Sequence, residues 1–494
     1  MIEKCKEDNY TTIRERLLPK AIRESWEIER PEELLKEKEP CISFQTSNTA
    51  KFLKKGSYVL LDFGKEVCGS VRLITRAISS GTANFRITLG ESITEACSTL
   101  GENNATNDHS PRDFEVMVPS MSDLVFGLSG FRFARIELLT ETNVLMKNIF
   151  AVNIMRDFEK QASIITSDPE LNKIIETAAY TLRLNFQNGY IWDGIKRDRL
   201  VWCGDLNPEI ITSIYLYGDN VNITNSLSFL RNETPDDAWM NTIPSYSAWW
   251  IINLCDYCRM TGNQDYFDNN RSYAVALLHK MNACIYEDGT IDFHLPPYAM
   301  SFYLDWPTYN TPDAVVGLAC LFICAAKAYL NYEEDEVCHA IIRKLQGYLQ
   351  QDCTFKQTRA FQILAGRNPK GEIEFLEKNG AEGLSTFMAY YILTADAMAG
   401  GKDMLSIIKE YYGGMLQRGA TTFWEDFNIS WLEGSGRIDE FPKEGETDIH
   451  GDYGAFCYKG LRHSLCHGWA SGVLAFIIEY MLGLHISGGE RSTR

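Results

Sequence analysis

Hydrophobic and polar positions follow two different rhythms along the chain. Between about residues 55 and 155, short apolar/polar alternations are broken by Gly, Asn, Ser and Asp: Val71, Leu73 and Thr75 alternate with Arg72, Ile74 and Arg76, and Phe85, Ile87 and Leu89 with Arg86 and Thr88. Further strand-like runs at 114–118, 131–138 and 144–155 make an antiparallel β-sandwich the expected fold of residues 1–160. The first 45 residues, rich in Glu, Lys and Pro, are expected to add one helix or strand docked on it. At Ser167-Asp168-Pro169-Glu170 the period changes. Ser167 with Glu170 gives a capping-box signature, Pro169 suits a first turn, and Leu171, Ile174, Ile175, Ala178 and Leu182 follow at helical spacing. Helical period then dominates, with long segments expected at 314–330, 381–399 and 472–484. About a dozen helices paired as hairpins would close into a toroid over residues 161–486, placing alternate loops round one mouth. Residues 487–494 read as a disordered tail or an appended remnant.

Composition narrows the function. With 45% hydrophobic and 23% charged residues, the 494-residue chain can build a sizeable core. Its 48 Lys and Arg against 66 Asp and Glu give a net charge of −18, which repels polyanions and argues against nucleic acid or an acidic membrane as partner. No apolar signal-peptide core follows Met1, and the apolar run Ala314–Ala326 is short for a bilayer, so a cytoplasmic location is expected. Fourteen scattered cysteines suit reduced, mostly buried thiols, including the lone pair Cys255 and Cys258. Eight histidines without an HExxH arrangement give no metal site, and no cofactor is expected.

Candidate chemistry concentrates in Ile191–Asp205, which interleaves Asp193, Asp198 and Asp205 with Lys196, Arg197, Arg199, Trp192 and Trp202. Charged and aromatic residues in this order make a poor core and a good polar pocket. Two of the carboxylates could be held ionised by Arg197 and Arg199 while a third keeps a raised pKa; a salt-bridge network tying a loop to a helix end fits the same charges. Nine of the ten tryptophans follow residue 190, mostly at loops and helix ends. Such rings beside carboxylates suit the apolar face of a sugar. A second acidic segment, Thr421-Thr422-Phe423-Trp424-Glu425, and the run Arg462–Trp469 with His463 and His467 lie far along the chain. Two carboxyl groups meeting in one cleft are the minimum for glycoside hydrolysis, one protonating a leaving oxygen and one activating water.

The stretch Asp193-x-x-x-Arg197-Asp198-Arg199-x-x-Trp202-x-Gly204-Asp205 resembles the catalytic segment of glycoside hydrolase family 78, the α-L-rhamnosidases, with Asp198 where most members carry Glu. Thr421–Glu425 and Ser464-Leu-Cys-His467 resemble two further segments of that family, as do residues 61–66, 127–132 and Asp305-Trp306. The compact two-domain members, which the chain resembles in length, carry Asp at the position of Asp198 as well. The resemblance implies a β-sandwich followed by an (α/α)6 barrel and an inverting exo-glycosidase releasing terminal α-L-rhamnose. In it Asp198 is the general acid and Glu425 the general base, and Asp193, Arg197 and Asp205 bind hydroxyls. Ionised Asp193 and Asp205 would keep Asp198 protonated. Trp202, Trp306 and one of Trp249 and Trp250 wall the sugar, and His467, with His463 as its rival, bonds a hydroxyl or orients Glu425. A homodimer is compatible with the resemblance. Another carbohydrate-active helical-toroid hydrolase and a non-catalytic sugar-binding protein are the alternatives, the latter having no need of both acids.

Overall fold

The computed structural model describes residues 2–7, 9–159, 161–295 and 299–493. Strand after strand fills the first third: β1 (Ile2–Lys6), β2 (Thr11–Leu17), β3 (Ala21–Trp26), β4 (Ile28–Glu29), β5 (Ala50–Phe52), β6 (Tyr58–Ile78), β7 (Thr82–Gly90), β8 (Asp113–Pro119), β9 (Asp123–Leu138) and β10 (Val144–Asp157). The alternating runs read from the sequence all lie within β6 to β10. All pairings in this large sheet are antiparallel, in the order β1-β2-β10-β6-β9-β7-β8, with β3 and β5 pairing on β6 and β10 and β4 on β5. The first 45 residues thus supply four strands where one element was expected.

The central strand β6 changes neighbours along its length. Residues 58–62 lie between β3 and β9, and residues beyond 67 between β10 and β9, with a register break between Asp62 and Val67. One of its faces builds a core with Val59, Leu61, Phe63, Val71 and Leu73 against Phe85, Ile87, Ile136 and Ile149. The other face is buried too. Leu60 meets Phe133 and the short helix α1 (Ile93–Cys97), and Cys68 and Met155 pack on Leu184, Ile195 and Cys466 of the helical part.

Helices follow from residue 169: α2 (Pro169–Asn185), α3 (Leu206–Tyr217), α4 (Val221–Glu233), α5 (Pro244–Thr261), α6 (Gln264–Ala283), α7 (Pro312–Leu330), α8 (Glu336–Leu345), α9 (Lys356–Ala365), α10 (Ile373–Leu376), α11 (Ala389–Ala399), α12 (Met404–Gln417) and α13 (Gly472–Phe476). The cap of α2 is Asp168 rather than Ser167: its Oδ1 accepts from the Glu170 and Leu171 N–H groups at 3.0 and 3.2 Å. The odd-numbered helices pack in a cycle, α3 on α5, α5 on α7, α7 on α9, α9 on α11, α11 on α13 and α13 on α3. Their composition explains this. All twelve residues of α3 are buried, as are eight of the eleven in α11, whereas α8 buries only Cys338, Ile341 and Leu345 along one stripe. Helix α7 is apolar and long enough to cross a membrane by length and composition, and it sits in this cycle with 72% of its apolar window buried.

Two expectations are corrected. Helix α11 starts at Ala389, not 381, because the chain turns through 381–388 behind Gly383, whose φ is +82°. The segment read as a disordered tail forms a hairpin, Leu484–Ser487 paired with Glu490–Thr493. Gly488 and Gly489, both at positive φ, make its two-residue turn, and their N–H groups donate to Arg259 and Met260 carbonyls at the end of α5, each at 2.8 Å.

Candidate active site

The segment after Ile191 crosses from the helices to the sheet before entering α3. Gly130 of β9 permits that crossing: its N–H donates to the Ile195 carbonyl at 3.0 Å, and a Cβ there would lie 2.7 Å from Ile195. Beside it, the buried ammonium of Lys196 lies 3.0 Å from Glu91 and 3.2 Å from Glu95, and donates to the carbonyls of Leu461 and His463. One ammonium therefore ties the sheet side, the 196–199 turn and the 461–467 loop together. Glu91, Glu95 and His450 are, among the described residues, a group whose ligand atoms lie within 4.8 Å of one another. Lys196 already supplies the positive charge there, and this group lies outside the pocket described next.

That pocket is lined by Asp193, Arg197, Asp198, Trp202, Asp205, Trp306, Glu425 and His467 together with Ile243, Tyr246, Met300, Tyr303, Cys457 and Trp469. Residues up to 276 positions apart in sequence therefore share one cleft. Asp198 and Arg199 adopt left-handed backbone, with φ of +57° and +58°, a conformation that costs non-glycine residues energy and that recurs at functional sites. The turn points Asp198 to the pocket mouth, with about a fifth of its side chain exposed.

Arg197 lies between the two candidate acids. Its Nη1 is 3.1 Å from Asp198 Oδ1, and its Nη2 donates to Glu425 Oε1. Burial opposes the Arg197 charge, but Glu425 and Asp198 outweigh it and raise its pKa. Glu425 Oε2 accepts from the Ser464 N–H at 3.3 Å, and its own backbone is pinned by Ser464 and by the Trp469 indole N–H at 3.0 and 2.9 Å. His467 Nε2 pairs with Asp205 Oδ1 at 3.0 Å, and Tyr246 donates to the other oxygen at 3.4 Å. Asp193 lines the pocket and is held by the Leu200 N–H at 2.9 Å, while its Oδ2 is buried without a partner.

Electrostatics differ from the sequence expectation. Burial pushes the Asp193 carboxyl well up, and the charges of Asp198 and Asp205 add to this. Burial raises Asp205 as well, against the opposing pull of His467. Negative charge on these two is therefore a weaker lever on Asp198 than expected. Arg199 turns away from the carboxylates, to the Leu128 carbonyl at 3.1 Å and over the Trp192 ring at 4.8 Å.

Trp202 and Trp306 line the cleft; Trp249 and Trp250 do not. Both of the latter are buried on α5, Trp249 against Phe361 and Tyr391 and Trp250 against Tyr273 with its indole N–H bonded to the Leu227 carbonyl. One helical turn away, Tyr246 reaches the cleft instead, edge-on to Trp202 at 5.9 Å. His463 is also outside it, its Nε2 accepting from the Asp426 N–H. Tyr246, Tyr303, Met300, Cys457 and Trp469 were missed by the sequence reading. Only Trp469, two residues from His467, carried a local signal. The Cys255 and Cys258 thiols are free and buried, and burial pushes the second up to about 12.

Residues 159–261 match the family model described as the bacterial alpha-L-rhamnosidase 6 hairpin glycosidase domain. An alpha-L-rhamnosidase from Alteromonas sp. (strain LOR) is 25% identical over 199 residues, 39% of this chain and 21% of that protein, so the match spans about a fifth of that relative's length. Among solved structures, a rhamnosidase from Klebsiella oxytoca with rhamnose bound gives a TM-score of 0.73 at 17% identity, covering 96% of this chain and 97% of that one. The family 78 rhamnosidase of Bacillus sp. GL1 gives 0.69 at 19% identity, covering 93% and 50%. The alpha-L-rhamnosidase of Streptomyces avermitilis complexed with L-rhamnose gives 0.65 at 15% identity, covering 97% and 44%. At these identities the structural likeness is one of fold. Family model, curated relative and solved structures thus converge on α-L-rhamnosidases as the proteins this chain is similar to, with residues 159–261 matching a bacterial six-hairpin glycosidase domain.

Proposed function

We propose that this protein is an inverting α-L-rhamnosidase that removes a terminal, non-reducing rhamnose from a rhamnoside. The observation that carries the reading is Arg197 placed between Asp198 and Glu425. A single guanidinium holds the two carboxyl groups apart, which suits inversion, where a water must fit between the sugar and the base and the carboxyl groups stand roughly 6.5–9.5 Å apart. Asp198, at the mouth, protonates the departing oxygen. Glu425, deeper and held by Arg197 and the Ser464 N–H, takes a proton from the water attacking the opposite face of the ring.

Substrate binding falls to the rest of the cleft. Asp193 Oδ2 and the Asp205–His467 pair offer hydrogen bonds to ring hydroxyls. Met300, Ile243 and the rings of Trp202 and Trp306 offer an apolar wall for the methyl group of a 6-deoxy sugar. The cyclic packing of α3, α5, α7, α9, α11 and α13 supports an (α/α)6 barrel across 161–486, preceded by a β-sandwich in 1–160. Rhamnose bound to the Klebsiella oxytoca and Streptomyces avermitilis proteins supports the choice of sugar. The test is hydrolysis of p-nitrophenyl α-L-rhamnoside by the wild type, Asp198→Asn and Glu425→Gln. The wild type turns over and each variant, folded as judged by circular dichroism, loses most activity; near-normal turnover by either variant removes that residue from the mechanism.

A further inference from the structure

Two consecutive peptide N–H groups in the 461–467 loop point at two different carboxyl groups. Ser464 donates to Glu425 Oε2 at 3.3 Å, and Leu465 donates to Glu91 Oε2 at 2.6 Å. Glu425 belongs to the helical part, whereas Glu91 directly follows β7 and is fully buried. Gly90 allows the turn at that point: a Cβ there would lie 2.3 Å from the backbone nitrogen of Ala96, so glycine lets α1 fold back against the end of the strand. Resting on the proposed role of Glu425, we infer that Glu91 is a positioning residue for the general base, reaching from the sheet to fix the Ser464–Leu465 backbone that holds the Glu425 carboxylate.

The loop and the segment bearing the base also hold each other. The Ser464 carbonyl accepts from the Glu425 N–H at 3.0 Å, and the Leu465 carbonyl accepts from the Thr422 hydroxyl at 2.7 Å. Bonds of this kind move with the pair and set no position for it against the acid; the sheet side does. Glu91 Oε2 lies 3.0 Å from the Lys196 ammonium, which itself donates to the His463 carbonyl and directly precedes Arg197 and Asp198 in the chain. One oxygen therefore registers the base-holding loop against the acid-bearing segment. Glu95, Glu66 and His450 are the other titratable groups around it. Burial and the Lys196 charge push His450 down to about 4, so it is neutral: its Nε2 proton goes to the His463 carbonyl at 2.9 Å, and its Nδ1 accepts from the Ser92 hydroxyl at 2.7 Å. Burial raises the Glu91 carboxyl against the pull of Lys196. A carboxyl oxygen can accept the Leu465 N–H whether the group is ionised or neutral, so this anchor depends on reach more than on charge.

The test compares wild type, Glu91→Asp and Glu91→Gln in the full chain, with circular dichroism as the check of folding. Asp keeps the negative charge beside Lys196 but is one methylene, about 1.5 Å, too short for the Leu465 N–H. Gln gives up the charge and keeps the reach: its amide oxygen takes the place of Oε2, and its NH2 that of Oε1, which has no partner. Glu91→Asp is expected to lose about tenfold or more in kcat on p-nitrophenyl α-L-rhamnoside with KM within about threefold, because a displaced base slows the reaction of a sugar that still binds. Glu91→Gln keeps kcat within about threefold of wild type. A Gln variant that loses as much as Asp, a normal kcat in the Asp variant, or a loss carried by KM overturns the inference while leaving the glycosidase reading standing. Should Glu91→Asp not fold, Thr422→Val, similar in shape, removes the hydroxyl on the other side of Leu465: a fall in kcat of about threefold or more at steady KM supports the positioning role of this backbone, and an unchanged kcat overturns it. A wild-type protein that cleaves no rhamnoside overturns both readings.

Discussion

Arg197 reaches across the pocket to Glu425, donating through Nη2 to Oε1 from a side chain that is itself almost wholly buried. A buried carboxylate is costly without such a partner, and here the partner also touches Asp198. Arg197→Lys keeps one charge but loses the planar fork that spans both acids. The expected outcome is a fall in kcat/KM of about a hundredfold or more, most of it in kcat, with binding of rhamnose by calorimetry much less affected. A drop confined to KM would mean that Arg197 only binds sugar.

The tryptophans divide by position. Trp306, half-buried at the cleft with Phe456 stacked on its ring at 5.0 Å, should act on substrate: Trp306→Ala raises KM about tenfold with little change in melting temperature. Trp250, fully buried on α5, should act on the fold: Trp250→Ala costs about 3–5 kcal/mol of stability and leaves the KM of the surviving folded protein unchanged. Chemical denaturation beside steady-state kinetics separates the two.

Asp426, next to the proposed base, gives a pH dependence of stability. Burial, then Asp305 and Glu425, push its carboxyl up to about 7. A carboxyl raised in the folded state binds its proton more tightly there than in the unfolded chain. Its contribution is thus complete below about pH 4 and is lost as pH rises through about 7, a change on the order of a few kcal/mol. Asp426→Asn, which mimics the protonated form, should melt close to wild type at pH 5 and above it at pH 8. Parallel melting curves for both proteins across that range would contradict the assignment.

Much of this architecture is legible in the residues, and the exceptions have physical causes. Alternation in β6 to β10 and helical period after Asp168 are local signals, so they survive folding. The segments holding Asp198 and Glu425 are recognisable because polar and aromatic residues crowd them against the pull of a core. Trp249 and Trp250 mislead because a large amphipathic ring reads alike in a wall and in a core, and only the phase of α5 decides between them. Phase places Tyr246 on the cleft side. Glu91 gives no local signal at all, since its bond to the Leu465 N–H spans 374 residues and depends on how the strands sit against the helices. The Gly488-Gly489 turn was readable from two flanking four-residue runs, and was missed by treating glycine as disorder.

The most direct measurement is proton NMR of the sugar released from p-nitrophenyl α-L-rhamnoside in the first minutes of reaction, before mutarotation. Inversion by Asp198 and Glu425 across Arg197 predicts β-L-rhamnose as the first product. Initial release of the α anomer would contradict the account, because it requires a carboxylate acting as nucleophile where Glu425 is assigned to activate water.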